Sequence, residues 1–408
     1  MLDVWPALPL IIMCDYAYPS ESPDNIIAAL ERSDRVDEII LTNAWVSTRN
    51  LSSDLEMLFS AMQRPFPELT RVELIFVGES LPAVPDSFLG GSAPSLEFLW
   101  LYSIPFPALP KLLLSATHLI YLFLGMIPHS GYFQPDEMVT ALSTLTSLKK
   151  LELKFESPRS CPDQASRRPP PSTRSVLPVL TSFSFKGVTE YLEDVVACID
   201  TPQLNALDII FFNDIIFNAP QLIKFTGRTP ALKTLKKTHI HFGEGYASIN
   251  LSSQTSVDGS YGELKLMVLC RGLDWQVSSL EQACTSCLHP LSMMEDLYIY
   301  YHPSYPPEDW TYNIENRLWL EILHLFTGVK NLYLSKIVAS HTALALQELV
   351  EGRTTEVLPA LQNIFLEGFE SSGVQEEGIG LFVTARQVAS HPIAVSRWAN
   401  SEEDKIRV

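Results

Sequence analysis

The chain has 408 residues, with 29 Lys and Arg against 47 Asp and Glu, and a formal net charge of −18. So acidic a balance excludes a general nucleic-acid binder, which needs a basic footprint to match phosphate. Hydrophobic residues make up 46% of the chain and charged ones 19%, below the roughly 25% of an ordinary soluble domain; a large core is implied and wholesale disorder is excluded.

Leucine occupies 57 positions between Leu2 and Leu381, which favours an architecture that uses it at a fixed period. In chain order, the pattern LxxLxL, with Ile, Val, Met or Phe allowed for Leu, begins at Leu8, Val36, Leu69, Leu96, Leu119, Leu148, Leu180, Leu204, Leu232, Leu264, Met294, Val329 and Leu361. The clearest copies are LEFLWL from Leu96, LIYLFL from Leu119, LKKLEL from Leu148, LNALDI from Leu204 and VKNLYL from Val329. At Leu232 the fit is poor, and the strand is read as Leu235 to Phe242 in the frame Leu235, Thr238, Ile240. Each match predicts a short strand whose fourth and sixth positions point inward while the third, fifth and seventh face the other side.

Between the strands lie helix signals. Ser22-Pro23 precedes Ile26, Ile27 and Leu30, a cap residue and a first-turn proline ahead of an apolar stripe. Ser53 with Glu56 makes a capping-box pattern before Leu58 and Met62, and Pro135-Asp136-Glu137 precedes Met138, Leu142 and Leu145. Further stripes are Leu192, Val195, Val196 and Ile199; Leu280, Cys284, Cys287 and Leu288; and Leu318, Ile322, Leu323 and Phe326.

A strand and a helix in every repeat predict an α/β fold: one leucine-rich-repeat solenoid over residues 1–398, of 12–13 irregular repeats, with parallel strands on the concave face and helices on the convex face. Ala44, Ile104 and Glu156 stand where the long type of leucine-rich repeat carries Asn or Cys, which makes the repeats irregular. Residues 157–175, rich in Pro, Ser and Arg, read as an inserted loop whose Arg159, Arg167, Arg168 and Arg174 could meet an acidic partner. Residues 399–408 read as a polar C-terminal tail.

No apolar run reaches the roughly 18 residues of a membrane span, and Ala7 to Met13, interrupted by Pro9 and following Asp3, is a poor signal peptide. The six cysteines, Cys14, Cys161, Cys198, Cys270, Cys284 and Cys287, are therefore read as thiols of a cytoplasmic or nuclear protein. On that reading the sequons at Asn50 and Asn250 are chance matches.

Four segments carry a resemblance: FKGVTEYLEDVVACIDTPQLNALDI from Phe185 to Ile209, DVWPALPLII from Asp3 to Ile12, LPALQNIFLEGF from Leu358 to Phe369, and ARQVASHPIAVSRW from Ala385 to Trp398. Together they resemble a large family of F-box and leucine-rich-repeat proteins of mushroom-forming fungi, over nearly the whole chain. The resemblance implies a solenoid that recruits a protein substrate to a cullin-type ubiquitin ligase through an F-box docked on a Skp-type adaptor. With the first repeat at Leu8, the F-box itself is expected to be missing, so adaptor binding is expected only if one lies upstream. A free-standing repeat scaffold or sensor with no ubiquitin role is the alternative.

Catalytic signatures are scarce. There is no P-loop, GxGxxG, GxSxG or HExxH, and Gly243-Glu244-Gly245 and Gly378-Ile379-Gly380 are too short to count. His239 and His241 project to one strand face near Glu244, and Cys284 and Cys287 are spaced CxxC near His289, but both sets lack the ligands that zinc needs. No catalytic residue, metal or cofactor is expected.

The outward strand positions are more informative. They hold Phe98, Trp100 and Tyr102; Tyr121 and Phe123; Lys150, Glu152 and Lys154; Lys186; Lys237, His239 and His241; then Tyr298, Tyr300, Tyr333 and Phe365. Two aromatic patches thus flank a basic middle. These are the anchors that protein interfaces use, and they predict a protein substrate or peptide that is acidic and carries apolar anchors, with no nucleic-acid or membrane partner.

Overall fold

A computed structural model describes residues 8–15, 23–42, 51–78, 81–160, 174–212, 219–253, 262–288, 291–302, 315–350, 353–367 and 374–398. Arg167 and Arg168 of the proposed loop, Cys161, and the polar tail lie outside these residues. The fold is α/β, with mostly parallel strands and accompanying helices. The chain divides into two compact units, Met1–Leu207 and Asp208–Val408.

The first unit contains, in chain order, β1 (Leu10–Asp15), α1 (Pro23–Leu30), β2 (Val36–Thr42), α2 (Leu51–Ala61), β3 (Arg71–Ile75), β4 (Phe98–Tyr102), α3 (Leu109–Leu113), β5 (Tyr121–Ile127), α4 (Pro135–Leu142), β6 (Lys150–Phe155), β7 (Ser175–Val176), β8 (Ser182–Gly187), α5 (Thr189–Cys198) and β9 (Ile199–Asp200). Strands β1-β2-β3-β4-β5-β6-β8 lie side by side, every neighbouring pair parallel. The two-residue strands β7 and β9 form a separate parallel pair, beside which Arg174 Nε donates to the carbonyl of Ala197 at 3.2 Å.

Leucine spacing explains this packing. In β4, Leu99 and Leu101 are buried against the helix side, and so are Leu122 and Leu124 in β5, Leu151 and Leu153 in β6, and Phe183 and Phe185 in β8. These are the fourth and sixth positions of their repeats. The first leucines of these repeats, Leu96, Leu119, Leu148 and Leu180, are also fully buried.

β1 departs from the frame that begins at Leu8, which would send Ile11 and Met13 inward. They are 59% and 68% exposed, while Ile12 and Cys14 are buried. A register shift between Leu10 and Ile11 in the pairing with β2 accounts for the slip, since one residue of offset turns every side chain to the opposite face.

The second unit contains β10 (Ala206–Phe211), within which the division falls, α6 (Pro220–Arg228), β11 (Lys237–Gly243), β12 (Tyr246–Ser252), β13 (Glu263–Val268), α7 (Leu273–Cys287), β14 (Asp296–His302), α8 (Asn316–His324), β15 (Asn331–Leu334), α9 (Lys336–Gln347), β16 (Asn363–Glu367), α10 (Val374–Val388) and β17 (Ala394–Trp398). The strand order is β10-β13-β12-β11-β14-β15-β16-β17. From β11 through β14, β15, β16 and β17 the neighbours are parallel.

Uniformly parallel strands, expected from the repeat, are interrupted here. β12 is antiparallel to both β11 and β13. Gly243-Glu244-Gly245 is the turn that reverses the chain, with Gly245 at φ +84°, a left-handed conformation that glycine adopts without a Cβ clash. The new strand escapes a leucine search because it alternates Ala247, Ile249 and Leu251 as its buried residues. β13 is likewise one residue out of frame: Leu264, Leu266 and Val268 are buried, and Met267 is only half-buried.

The helices meet their signals unevenly. Pro23 and Pro135 start α1 and α4, where a missing N–H costs nothing, and the Gln134 amide donates to Glu137 Oε2 at 3.2 Å across the start of α4. Ser53 and Glu56 fall inside α2, which already runs from Leu51, so they do not cap it. Ile199 leaves the α5 stripe to begin β9. Arg386 of α10 is fully buried. It donates to the carbonyl oxygens of Thr354, Leu358, Pro359 and Leu361 at 3.1 to 3.3 Å, tying the helix to the segment that leads into β16.

Candidate functional site

Parallel pairing with a constant register turns the outward positions into rows of facing side chains. In the first unit one row reads Arg71, Phe98, Tyr121, Lys150 and Ser182; the next reads Glu73, Trp100, Phe123, Glu152 and Ser184. The four rings make a two-by-two block. Trp100 and Phe123 stack at 4.1 Å between centroids, and Phe98 and Tyr121 lie 4.7 Å apart. Within their strands, Phe98 and Trp100 are 6.3 Å apart.

Glycine makes this block possible at one point. Gly125 follows the rings on β5, opposite Tyr102, and a Cβ there would come within 2.5 Å of the Phe123 ring and 2.8 Å of the Tyr102 ring. Phe123 is consequently only 8% exposed. Phe98, Trp100, Tyr102 and Tyr121 are half-buried, and Trp100 Nε1 has no acceptor among the described residues.

Charges close the block at both ends. The Arg71 guanidinium lies 4.3 Å above the Phe98 ring and pairs with Glu73. On the other side Lys154 Nζ lies 5.4 Å from the Phe123 centroid and donates to Glu152 at 2.5 Å. Glu152 also accepts the Tyr121 hydroxyl at 3.0 Å. Burial first, then Glu152 by charge and hydrogen bond, pushes the Tyr121 phenol well above its ordinary pKa. Lys186 faces Lys154 on β8, and burial together with Lys154 lowers its pKa. Lys150 is exposed. Of the basic middle expected from sequence, Lys154 is held by a carboxylate within this unit, while Lys150 stays exposed.

The second unit builds a longer array. His239, Tyr298, Tyr333 and Phe365 occupy one row on β11, β14, β15 and β16. Their rings stack face to face at 4.4, 4.1 and 4.4 Å, with interplanar angles of 3°, 9° and 8°. These spacings fall below the roughly 4.8 Å between strands, so the rings lean together into continuous contact. In the following row His241 stacks on Tyr300 at 4.8 Å, and the Tyr300 hydroxyl shares a 3.3 Å hydrogen bond with His239 Nδ1. Tyr300 is 2% exposed, buried where exposure was expected. Lys237 lies in the preceding row opposite Asp296. That row continues as an amide ladder: Asn331 donates to Asp296 at 2.7 Å and Asn363 to Asn331 at 2.8 Å.

The sequence reading missed Trp398. It sits on β17, outside the leucine pattern, and its ring crosses Tyr300, Tyr333 and Tyr298 at 5.4, 5.6 and 6.0 Å with angles of 48°, 69° and 60°. The signal available was its place two residues beyond Ser396 in an alternating run.

His239 and His241 are parallel rings 6.2 Å apart, each stacked against tyrosine. Cys284 and Cys287 are buried on α7; burial, with Cys287 and Glu281, pushes the Cys284 thiol far up and keeps it protonated and unreactive. His289 lies outside the described residues. Among the described residues no group of three or more His, Cys, Asp or Glu could hold a metal ion, and no helix is long and apolar enough to cross a membrane.

No protein-family model matches this chain, and no curated protein matches it.

Proposed function

We propose that the chain is a non-catalytic protein-binding repeat protein, built like the substrate-recognition part of an F-box ubiquitin ligase, with its strands lining a concave face and its helices a convex one. The ring arrays on the open strand face carry this reading. Core packing has no use for large aromatics on the side away from the helices, whereas preassembled rings anchor a partner with little further loss of side-chain freedom. The favoured partner is a protein segment with apolar anchors, and Lys150 with Lys186 favours acidic residues beside them.

The test is quantitative capture of cellular proteins by the whole chain, beside Trp100→Ala and Tyr333→Ala. Partners that bind the intact chain and are lost with either substitution, at an unchanged unfolding midpoint, support the reading. An unchanged set of partners overturns it. Retention of a purified Skp-type adaptor would place the protein in a ubiquitin ligase, and failure to retain one would favour a free-standing scaffold.

A further inference from the structure

We propose that the ring face of the second unit is a binding site for an extended peptide strand of small-x-small-x-aromatic pattern, occupied in this structure by the chain's own β17. This deepens the protein-binding reading and rests on it. β17 pairs with β16 in the register Asn363 to Ala394, Phe365 to Ser396 and Glu367 to Trp398. Strand alternation sends Ala394, Ser396 and Trp398 to the ring face and Val395 and Arg397 to the opposite side. On that opposite side a sheet strand normally buries its apolar residues, yet Val395 is 40% exposed and Arg397 is exposed as well. Trp398 is the one residue of β17 that is not exposed.

The ladder to β16 and the Trp398 indole are what join the strand to the ring face. Fixing five residues in extended form costs entropy at each of them, and with Val395 turned to solvent the strand buries little apolar surface to offset it. The element before it is anchored separately. α10 packs on α9 and is pinned by buried Arg386. Ser390, at φ +64°, and Pro392 form the turn between them, so β17 can detach while α10 stays.

The seat also states what fits it. A small residue must lie opposite Phe365, as Ser396 does. Two residues later a flat ring must cross Tyr298, Tyr300 and Tyr333, as the Trp398 indole does at 5.4 to 6.0 Å. Pairing with β16 would supply main-chain hydrogen bonds, and the alternate side chains would supply selectivity.

The probe is a fluorescein-labelled peptide of the chain's own sequence from Pro392 to Trp398, titrated into the whole chain and followed by polarisation. Trp398→Ala weakens the tethered competitor, whose local concentration is on the order of millimolar. This variant should bind the peptide at least about tenfold tighter than the unaltered chain. A peptide with Ala in place of its Trp should lose that binding, and Trp398→Phe should behave like the unaltered chain. Equal affinity of Trp398→Ala and the unaltered chain for the peptide overturns the proposal. So does a fall in the unfolding midpoint of Trp398→Ala as large as that of Leu366→Ala, which would make β17 a fixed part of the core. Dimers formed by trading β17 between copies would place a second copy in the seat and overturn the assignment to a foreign strand. Loss of cellular partners on Tyr333→Ala, alongside failure of the peptide, would leave protein binding standing and remove strand exchange alone.

Discussion

Tyr121 carries a phenol whose chemistry is set by its neighbours. Its pKa is raised by burial and by the Glu152 carboxylate that accepts its hydrogen bond. A group raised above its unfolded value of about 10 contributes stability that is complete below that pH and is lost as the pH climbs toward the folded value. Tyr121→Phe should therefore flatten the alkaline decline of stability above about pH 10, measured by urea unfolding at several pH values. Arg386 is the opposite kind of residue, a buried cation whose pKa burial pulls down and whose four acceptors are main-chain carbonyls. Arg386→Met would strand those carbonyls in the interior, and a loss of about 3 kcal/mol or more is expected in the same unfolding measurement.

Single elements show where leucine spacing carries information and where it does not. β4, β5, β6, β14, β15 and β16 could be placed in frame because two inward apolar positions and a preceding buried apolar residue, leucine or Met294 or Val329, fix both register and face. β1 and β13 offer apolar residues at consecutive positions, so the period of two is ambiguous and the frame slips by one. β12 and β17 have no leucine frame; a hairpin turn creates the first, and the second hangs from a helix. The ring rows were legible as outward positions. Their contacts with Glu152, Arg71 and Trp398 were not, because these depend on which strands become neighbours. The slip in β1 has a consequence for handling: Ile11 and Met13 present apolar surface on the end strand of the first unit's order, a pattern that promotes association between chains. Met13→Lys should raise the concentration at which the protein stays monodisperse by light scattering and leave the unfolding free energy within about 0.5 kcal/mol of the original.

At the scale of the whole molecule, a charge of −18 surrounds faces that carry few cations, and Arg71 and Lys154 among them are paired with Glu73 and Glu152. Long-range attraction of an acidic partner then depends on few groups, and exposed Lys150 is the clearest of them in the first unit. Lys150→Glu should slow association with such a partner several-fold at low salt and leave dissociation nearly unchanged, a difference that stopped-flow mixing resolves.

The crossing of Trp398 over three tyrosines gives the second unit a built-in optical reporter. Phenol rings 5.4 to 6.0 Å from an indole hand on their excitation before they emit. Tyr298, Tyr300 and Tyr333 should therefore be dimmed further while β17 is docked, part of their absorbed light leaving as emission from Trp398. Tyrosine emission should rise when an incoming strand lifts the indole away, with no label attached, and in Trp398→Ala it should already stand above that of the unaltered chain.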